Sequence, residues 1–186
     1  MARNRFQQIS RAMRFDDAAR RHEHHTDDKL GPVRRIFDMW EETLQDSFIP
    51  EDNVTVDEQL LTYRGRVSFK QYIPRKLGKY GIKFWMLSDS MTSYVCRLQV
   101  YTGKQSGQER EHNQSERVVL QLIEGLKGSG SNVTADNFFC SLSLAQKLSE
   151  RNMTLLGTIR KNRKELSTRK VVRPCRLSSV IEMMQQ

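Results

Sequence analysis

The stretch "NVTADNFFCS", residues 132–141, decides how this chain is read. Valine, threonine and alanine lead up to Asp136, and a phenylalanine doublet follows it. β-branched residues favour a strand, so the spacing predicts a strand that ends at a carboxylate. Upstream, "NVTVDEQLLTYRG" (53–65) places Asp57 in a similar setting. A polar group among buried strand residues costs roughly 2–7 kcal/mol unless something satisfies it, and a charge costs more. Two such placements imply one shared purpose.

The rest of the chain limits what that purpose can be. Its 186 residues suit a single domain with a small appendage. At 37% hydrophobic and 28% charged, the composition is that of a globular protein with a polar surface. No apolar run approaches the roughly 18 residues of a membrane span. "MARNRFQQIS" has no apolar core of a secretory signal. Cys96, Cys140 and Cys175 are odd in number and lack CxxC spacing, which disfavours disulfides and a cysteine zinc site. A net charge of +9 points to a polyanionic partner.

Hydrophobic periodicity orders the elements. Phe6, Ile9 and Met13 fall at helical spacing in 4–15, and 16–31 reads as a polar connection. Pro32 opens a helix over 32–48 with Val33, Ile36, Phe37, Trp40 and Leu44 on one stripe. Strands are expected over 54–65 and, as a hairpin around "SDSMTS", over 79–103, with Asp89 as a turn residue. A helix over 115–130 is expected to be capped by Ser115 and stopped by Gly128. Strand 131–139, helix 141–152 and strand 153–162 complete a β-β-β-α-β-α-β order, an α/β class with a mixed sheet. If the first and fourth strands are neighbours, Asp57 and Asp136 meet at one sheet surface. Glu58 then points to the opposite face, towards solvent or a salt bridge. Trp40 and Trp85 are expected as core or interface aromatics, and "HEHH" (22–25) as a solvated run.

That strand order with two aspartates resembles the ribonuclease H-like fold of DDE/D transposases. "RFQQISRAMRFDD", "GPVRRIFDMWE", "TVDEQLLTYRGR", "YIPRKLGKYGIKFWMLSDSMTSY", "VYTGK", "NVTADNFFCSLSLAQKL" and "LLGTIRKNRKELS" are together similar to the piggyBac transposase family, in that family's order. The resemblance implies cut-and-paste DNA transposition. It assigns Asp57, in the "DEQ" segment, and Asp136, in the "DNFF" segment, as catalytic and metal-binding residues. Phosphoryl transfer of this kind uses divalent cations about 3.5–4 Å apart, and hard carboxylate oxygens suit Mg2+ or Mn2+. The resemblance divides the chain into a helical part (1–52), an incomplete ribonuclease H-like core (53–170) and a divergent tail (171–186). The implied partner is double-stranded DNA; a homodimer is left open, and neither a membrane nor a small-molecule substrate is expected. The implied location is the nucleus, with "RKNRKELSTRK" (160–170) as a second DNA contact or an address.

The sequence also departs from that family. "VVRPCRLSSVIEMMQQ" (171–186) does not resemble the family's continuation, and neither Glu165 nor Glu182 matches a third catalytic motif. The expectation is a truncated transposase with little or no transposition of its own. The competing readings are a domesticated, non-enzymatic DNA- or partner-binding protein, and a gene relic without function. For DNA contact, "RGRVSFKQYIPRKLGKYGIK" (64–83) supplies Arg64, Arg66, Lys70, Arg75, Lys76, Lys79 and Lys83, interleaved with Phe69, Tyr72 and Tyr80 and free of acidic residues. The alternative for this stretch is a solvated loop face.

Overall fold

Strand β1 (Asn53–Thr62) is the centre around which the molecule is built. The computed structural model describes residues 1–17, 28–103 and 111–160. Before β1 come α1 (Arg3–Ala12), a 3-10 turn (Gly31–Val33) and α2 (Arg34–Ser47). After it come β2 (Gln71–Tyr72), β3 (Tyr80–Asp89), β4 (Val95–Val100), α3 (Gln114–Leu122), β5 (Asn132–Ala135), α4 (Leu142–Ser149) and β6 (Thr154–Gly157). The six strands form one mixed sheet in the order β2-β3-β1-β5-β6, with β4 also paired to β3. β1, β3 and β4 run antiparallel in turn, whereas β5 and β6 run parallel to β1. No helix among the described residues is long and apolar enough to cross a membrane.

Strand alternation assigns the two faces. Val54 and Val56 of β1, Leu87 of β3 and Val133 and Ala135 of β5 are buried on one face. α3 covers that face with Val118, Val119 and Leu122, and α4 with Leu144 and Leu148, in one apolar cluster. Burying each such side chain contributes about 1.5–3 kcal/mol. A second, smaller cluster joins Leu30, Phe69 and Val100, with Phe37 of α2 packed against it. Tyr94 fastens α2 further, donating its hydroxyl to the Leu44 carbonyl at 3.0 Å and packing against Phe48.

Several expectations change in detail. Pro32 lies in the 3-10 turn, so the α-helix begins only at Arg34. Only part of the α2 stripe faces the sheet: Phe37 packs inward, while Val33, Ile36 and Trp40 are exposed. Trp40 is therefore not a core residue, whereas Trp85 is buried. Ser115 lies inside α3, and the capping position is Asn113, which takes a left-handed conformation (φ 62°). Ser141 does cap α4, its Oγ accepting from the Leu144 N–H at 3.0 Å. Gly128 (φ +81°) follows the α3 region, and its N–H donates to the Arg151 carbonyl at 2.9 Å. Cys96 and Cys140 are buried free thiols; Cys175, the 22–25 histidine run and 161–186 lie outside the described residues.

Asp89 is the expected turn residue, yet it is only 1% exposed. It is satisfied completely by local donors. The Glu51, Met91 and Thr92 N–H groups and the Thr92 hydroxyl all donate to it, at 2.7–3.2 Å. The Thr92 bonds above all hold its carboxyl below the ordinary aspartate value of 3.8. Glu116, on α3, is also lowered: burial alone would raise it, but hydrogen bonds from Lys147 of α4 and from Ser143, with the Lys147 charge, outweigh that. A carboxyl depressed in the folded state contributes stability above its unfolded pKa and loses it as pH falls through the folded pKa. Thermal stability should therefore decline from just above pH 4 downward. Asp89→Asn is expected to lower the melting temperature at neutral pH and to flatten that acid limb, as read by thermal melts across pH.

Candidate active site and basic surface

The parallel ladder between β1 and β5 pairs Asn53 with Asn132, Val54 with Val133, Thr55 with Thr134 and Val56 with Ala135. Asp57 is the next residue of β1, and Asp136 is the first residue beyond β5. Both follow the last paired rung, Val56 with Ala135, of strands about 4.8 Å apart. Alternation puts Asn53, Thr55 and Asp57 of β1, and Asn132 and Thr134 of β5, on the face opposite the helix-covered core. Side-chain contacts follow this row: Asn132 Nδ2 donates to Asn53 Oδ1 at 3.4 Å and Thr154 Oγ1 to Asn132 Oδ1 at 2.8 Å. Both aspartates are exposed. They are thus not buried within strands, and the desolvation cost anticipated from the sequence does not arise.

Each carboxylate is oriented locally. The Glu58 N–H donates to Asp57 Oδ1 at 2.7 Å, and the Phe138 N–H to Asp136 Oδ1 at 2.9 Å. The Asp136 carbonyl accepts from the Phe139 and Cys140 N–H groups, both at 3.1 Å, so the chain turns sharply after β5. The phenylalanine doublet secures this turn. Phe139 is 1% exposed within the main core, and Phe138 packs edge-on against it with centroids 5.0 Å apart. Lys83 of β3 joins the two neighbourhoods: it forms an ion pair with Glu58 and lies 5.3 Å from the Phe138 ring centre. Among the described residues neither Oδ2 accepts a hydrogen bond, and no group of three or more metal-ligating side chains occurs. Two hard oxygen donors, one on β1 and one just past β5, are a ligand set suited to one divalent cation that keeps most of its water. They do not by themselves enclose a two-metal centre.

A groove of about 300 Å³ adjoins Asp57, lined by Thr55, Gln59, Met86 and Ser88 among others. A larger one, about 950 Å³, runs between α2 and α3 along β4 and includes neither aspartate. Its charges of both signs are paired with one another, as in Arg117 with Glu111 and Lys147 with Glu116. The smaller groove includes Asp57 and Glu58 but not Asp136.

The basic stretch separates into two populations. Arg64, Arg66, Arg75 and Lys79 are exposed. Lys70 is half-buried and donates to the Gly65 carbonyl at 3.0 Å; Lys76 is half-buried and reaches the Glu58 carbonyl at 3.4 Å. Lys83 is turned inward, paired with Glu58 and ringed by Trp85, Tyr101 and Phe138 at 5.3–5.9 Å. Its lysine was legible in the sequence but not its partner, because the β1–β3 register sets that pairing. Tyr72 and Tyr80 face each other across the β2–β3 pair with ring centres 4.7 Å apart.

Comparison with known proteins matches this architecture. Residues 1–181 match the family model described as Transposase IS4. The human PiggyBac transposable element-derived protein 3 is 31% identical over 140 residues, covering 73% of this chain and 23% of the relative. The human Chimeric ERCC6-PGBD3 protein is also 31% identical over 140 residues, covering 73% of this chain and 13% of that protein. The chain thus spans less than a quarter of the length of these curated relatives. A cryo-EM structure of a piggyBac transposase synaptic complex with hairpin DNA superposes with a TM-score of 0.82 at 37% identity, covering 94% of this chain and 37% of that one. With this match along nearly its whole length, the chain belongs to the piggyBac-type transposase family.

Proposed function

We propose that the chain is a ribonuclease H-like DDE/D transposase core that binds double-stranded DNA and holds a divalent cation, Mg2+ or Mn2+, between Asp57 and Asp136. An antiparallel meander that passes to two parallel strands supports the fold reading. The observation that supports the site is that Asp57 and Asp136 each directly follow the last rung, Val56 with Ala135, of the parallel β1–β5 ladder. In this reading 1–52 is a helical DNA-binding part, 53–170 the core and 171–186 a tail, and the protein works in the nucleus.

A divalent cation bound here supplies positive charge to a phosphodiester oxygen. Asp57 and Asp136 contribute the oxygen ligands, kept in place by the Glu58 and Phe138 N–H groups. The exposed Arg64, Arg66, Arg75 and Lys79 track phosphates and supply affinity without reading sequence. No described residue adds a third carboxylate, and Glu165 and Glu182 lie outside the described residues. Strand cleavage depends on charge stabilisation that two carboxylates do not complete. We therefore infer that this chain binds DNA without cutting it, which also accommodates a domesticated, non-enzymatic role.

Calorimetric titration with Mn2+ tests the site. Asp57→Asn and Asp136→Asn should each weaken binding at least about tenfold, since losing a ligand costs no less than losing an outer-shell partner. Affinity for a short duplex should be unchanged by either substitution and should fall with salt at a log–log slope of about −3.6, from four exposed cations at about −0.9 each. Mn2+ binding indifferent to both substitutions would sink the metal reading, and salt-independent DNA binding would sink the assignment of the basic surface.

A further inference from the structure

The β2–β3 pair carries a surface that phosphate contact alone does not explain. Tyr72 and Tyr80 are register partners, their rings stacked at 36° to one another, and both are more than half exposed (55% and 54%). Between them the chain makes a loop, 73–79, with Leu77 at its outer side wholly in solvent. The loop is firmly built. The Ile73 N–H donates to the Lys79 carbonyl at 2.7 Å, the Lys76 N–H to the Ile73 carbonyl at 3.1 Å and the Lys79 N–H to the Lys76 carbonyl at 3.0 Å. Gly78 lies so close to β1 that a Cβ there would meet Thr62 Oγ1 at 2.1 Å. Exposed Arg75 and Lys79 flank the rings. Two strand tyrosines and the loop's Leu77 are held out in solvent, forgoing their burial, so a ligand that stacks on them is called for.

The surface also lies on the same side of the sheet as the candidate carboxylates. Tyr80 is two residues from Ile82, whose partner is Leu61, and Leu61 shares a face with Asp57 by alternation. The position opposite Tyr80 is Tyr63, since Thr62 pairs with Gly81. The offset is 63 − 57 = 6 residues, about 20 Å along the strand at about 3.3 Å each. In a stacked strand at about 3.4 Å per nucleotide this is roughly six nucleotides.

We propose that Tyr72 and Tyr80, with Leu77 as a wedge, form a stacking site for unpaired DNA bases, placed about six nucleotides from the phosphate at Asp57. The inference rests on the DNA-binding reading above and names the DNA form it prefers. Base–aromatic stacking tolerates any sequence, because every base has a π face, and apolar wedges enter steps that are already unstacked. Paired duplex offers those rings only its sealed stack.

The test uses the full chain and fluorescence anisotropy with two labelled probes: a short duplex, and the same duplex with a run of mismatches about six nucleotides from one end. The mismatched probe should bind roughly tenfold more tightly. Tyr72→Ala combined with Tyr80→Ala should abolish that preference while leaving duplex affinity within about twofold, and the corresponding Phe pair should keep it. 2-Aminopurine placed in the mismatch should change its fluorescence on binding the native chain but not the alanine pair, a readout that a purely structural role for the rings would not move. Equal binding of both probes by the native chain overturns this inference but leaves DNA binding intact. So does a preference that survives the alanine pair. Binding to neither probe overturns the functional reading itself.

Discussion

Gly157→Ala is expected to cost 3 kcal/mol or more, approximately the upper range for overpacking a well-packed site. Gly157 ends β6 opposite Ala135 of β5. A Cβ added there would sit 2.2 Å from the Ala135 carbonyl oxygen and 2.4 Å from Cys140 Sγ. Neither neighbour can withdraw. The carbonyl belongs to a buried strand, and the thiol, itself 1% exposed, is hydrogen-bonded to that carbonyl at 3.3 Å. Relief requires β5 and β6 to separate at the end where Asp136 emerges. Denaturant unfolding should show the loss, while Gly125→Ala, whose Cβ would meet nothing within 4 Å, should stay within about 0.5 kcal/mol. A Gly157→Ala chain of native stability would mean that the β5–β6 contact is looser than described here.

Phe139→Ala should be comparably severe, at about 3–5 kcal/mol. Its ring lies in the centre of the core cluster, among residues of the sheet and helices. Removing it leaves a cavity, and it also releases the turn whose N–H groups close on the Asp136 carbonyl. Two readouts should therefore move together: denaturation midpoint and Mn2+ affinity. Phe138→Ala provides the contrast. That ring is half-buried, and its loss removes an edge contact to Phe139 and a cation–π contact to Lys83, the latter about 0.5–1 kcal/mol. If Phe139→Ala destabilised the chain without weakening Mn2+ binding, Asp136 would owe its position to something other than this turn.

The meander and both crossover helices were legible because alternation and helical periodicity are local signals. What failed was set by distant packing. The stripe on α2 reads as a single apolar face, but the sheet takes up only its Phe37 edge, so Trp40 stays outside. Ser115 and Asn113 are comparable capping residues by propensity, and the chain enters α3 through a left-handed Asn113, a conformation asparagine tolerates. Lys83 looked like one more phosphate ligand in a run of cations. Only the antiparallel register, which puts it beside Leu60 and near Glu58, reveals an internal ion pair. The stacked tyrosines were present in the sequence as interleaved aromatics, but their contact depends on the same register.

The alignment of β1 with β5 has a bearing on how this architecture tolerates change. The two acidic positions are indexed by backbone pairing and not by the amount of chain that separates them. Lengthening or shortening the connection at 123–131 leaves that index alone, at an entropic cost that grows slowly with length. Slipping β5 by one residue does the opposite: every side chain on it changes sides, and Asp136 is delivered to the apolar layer beneath the helices.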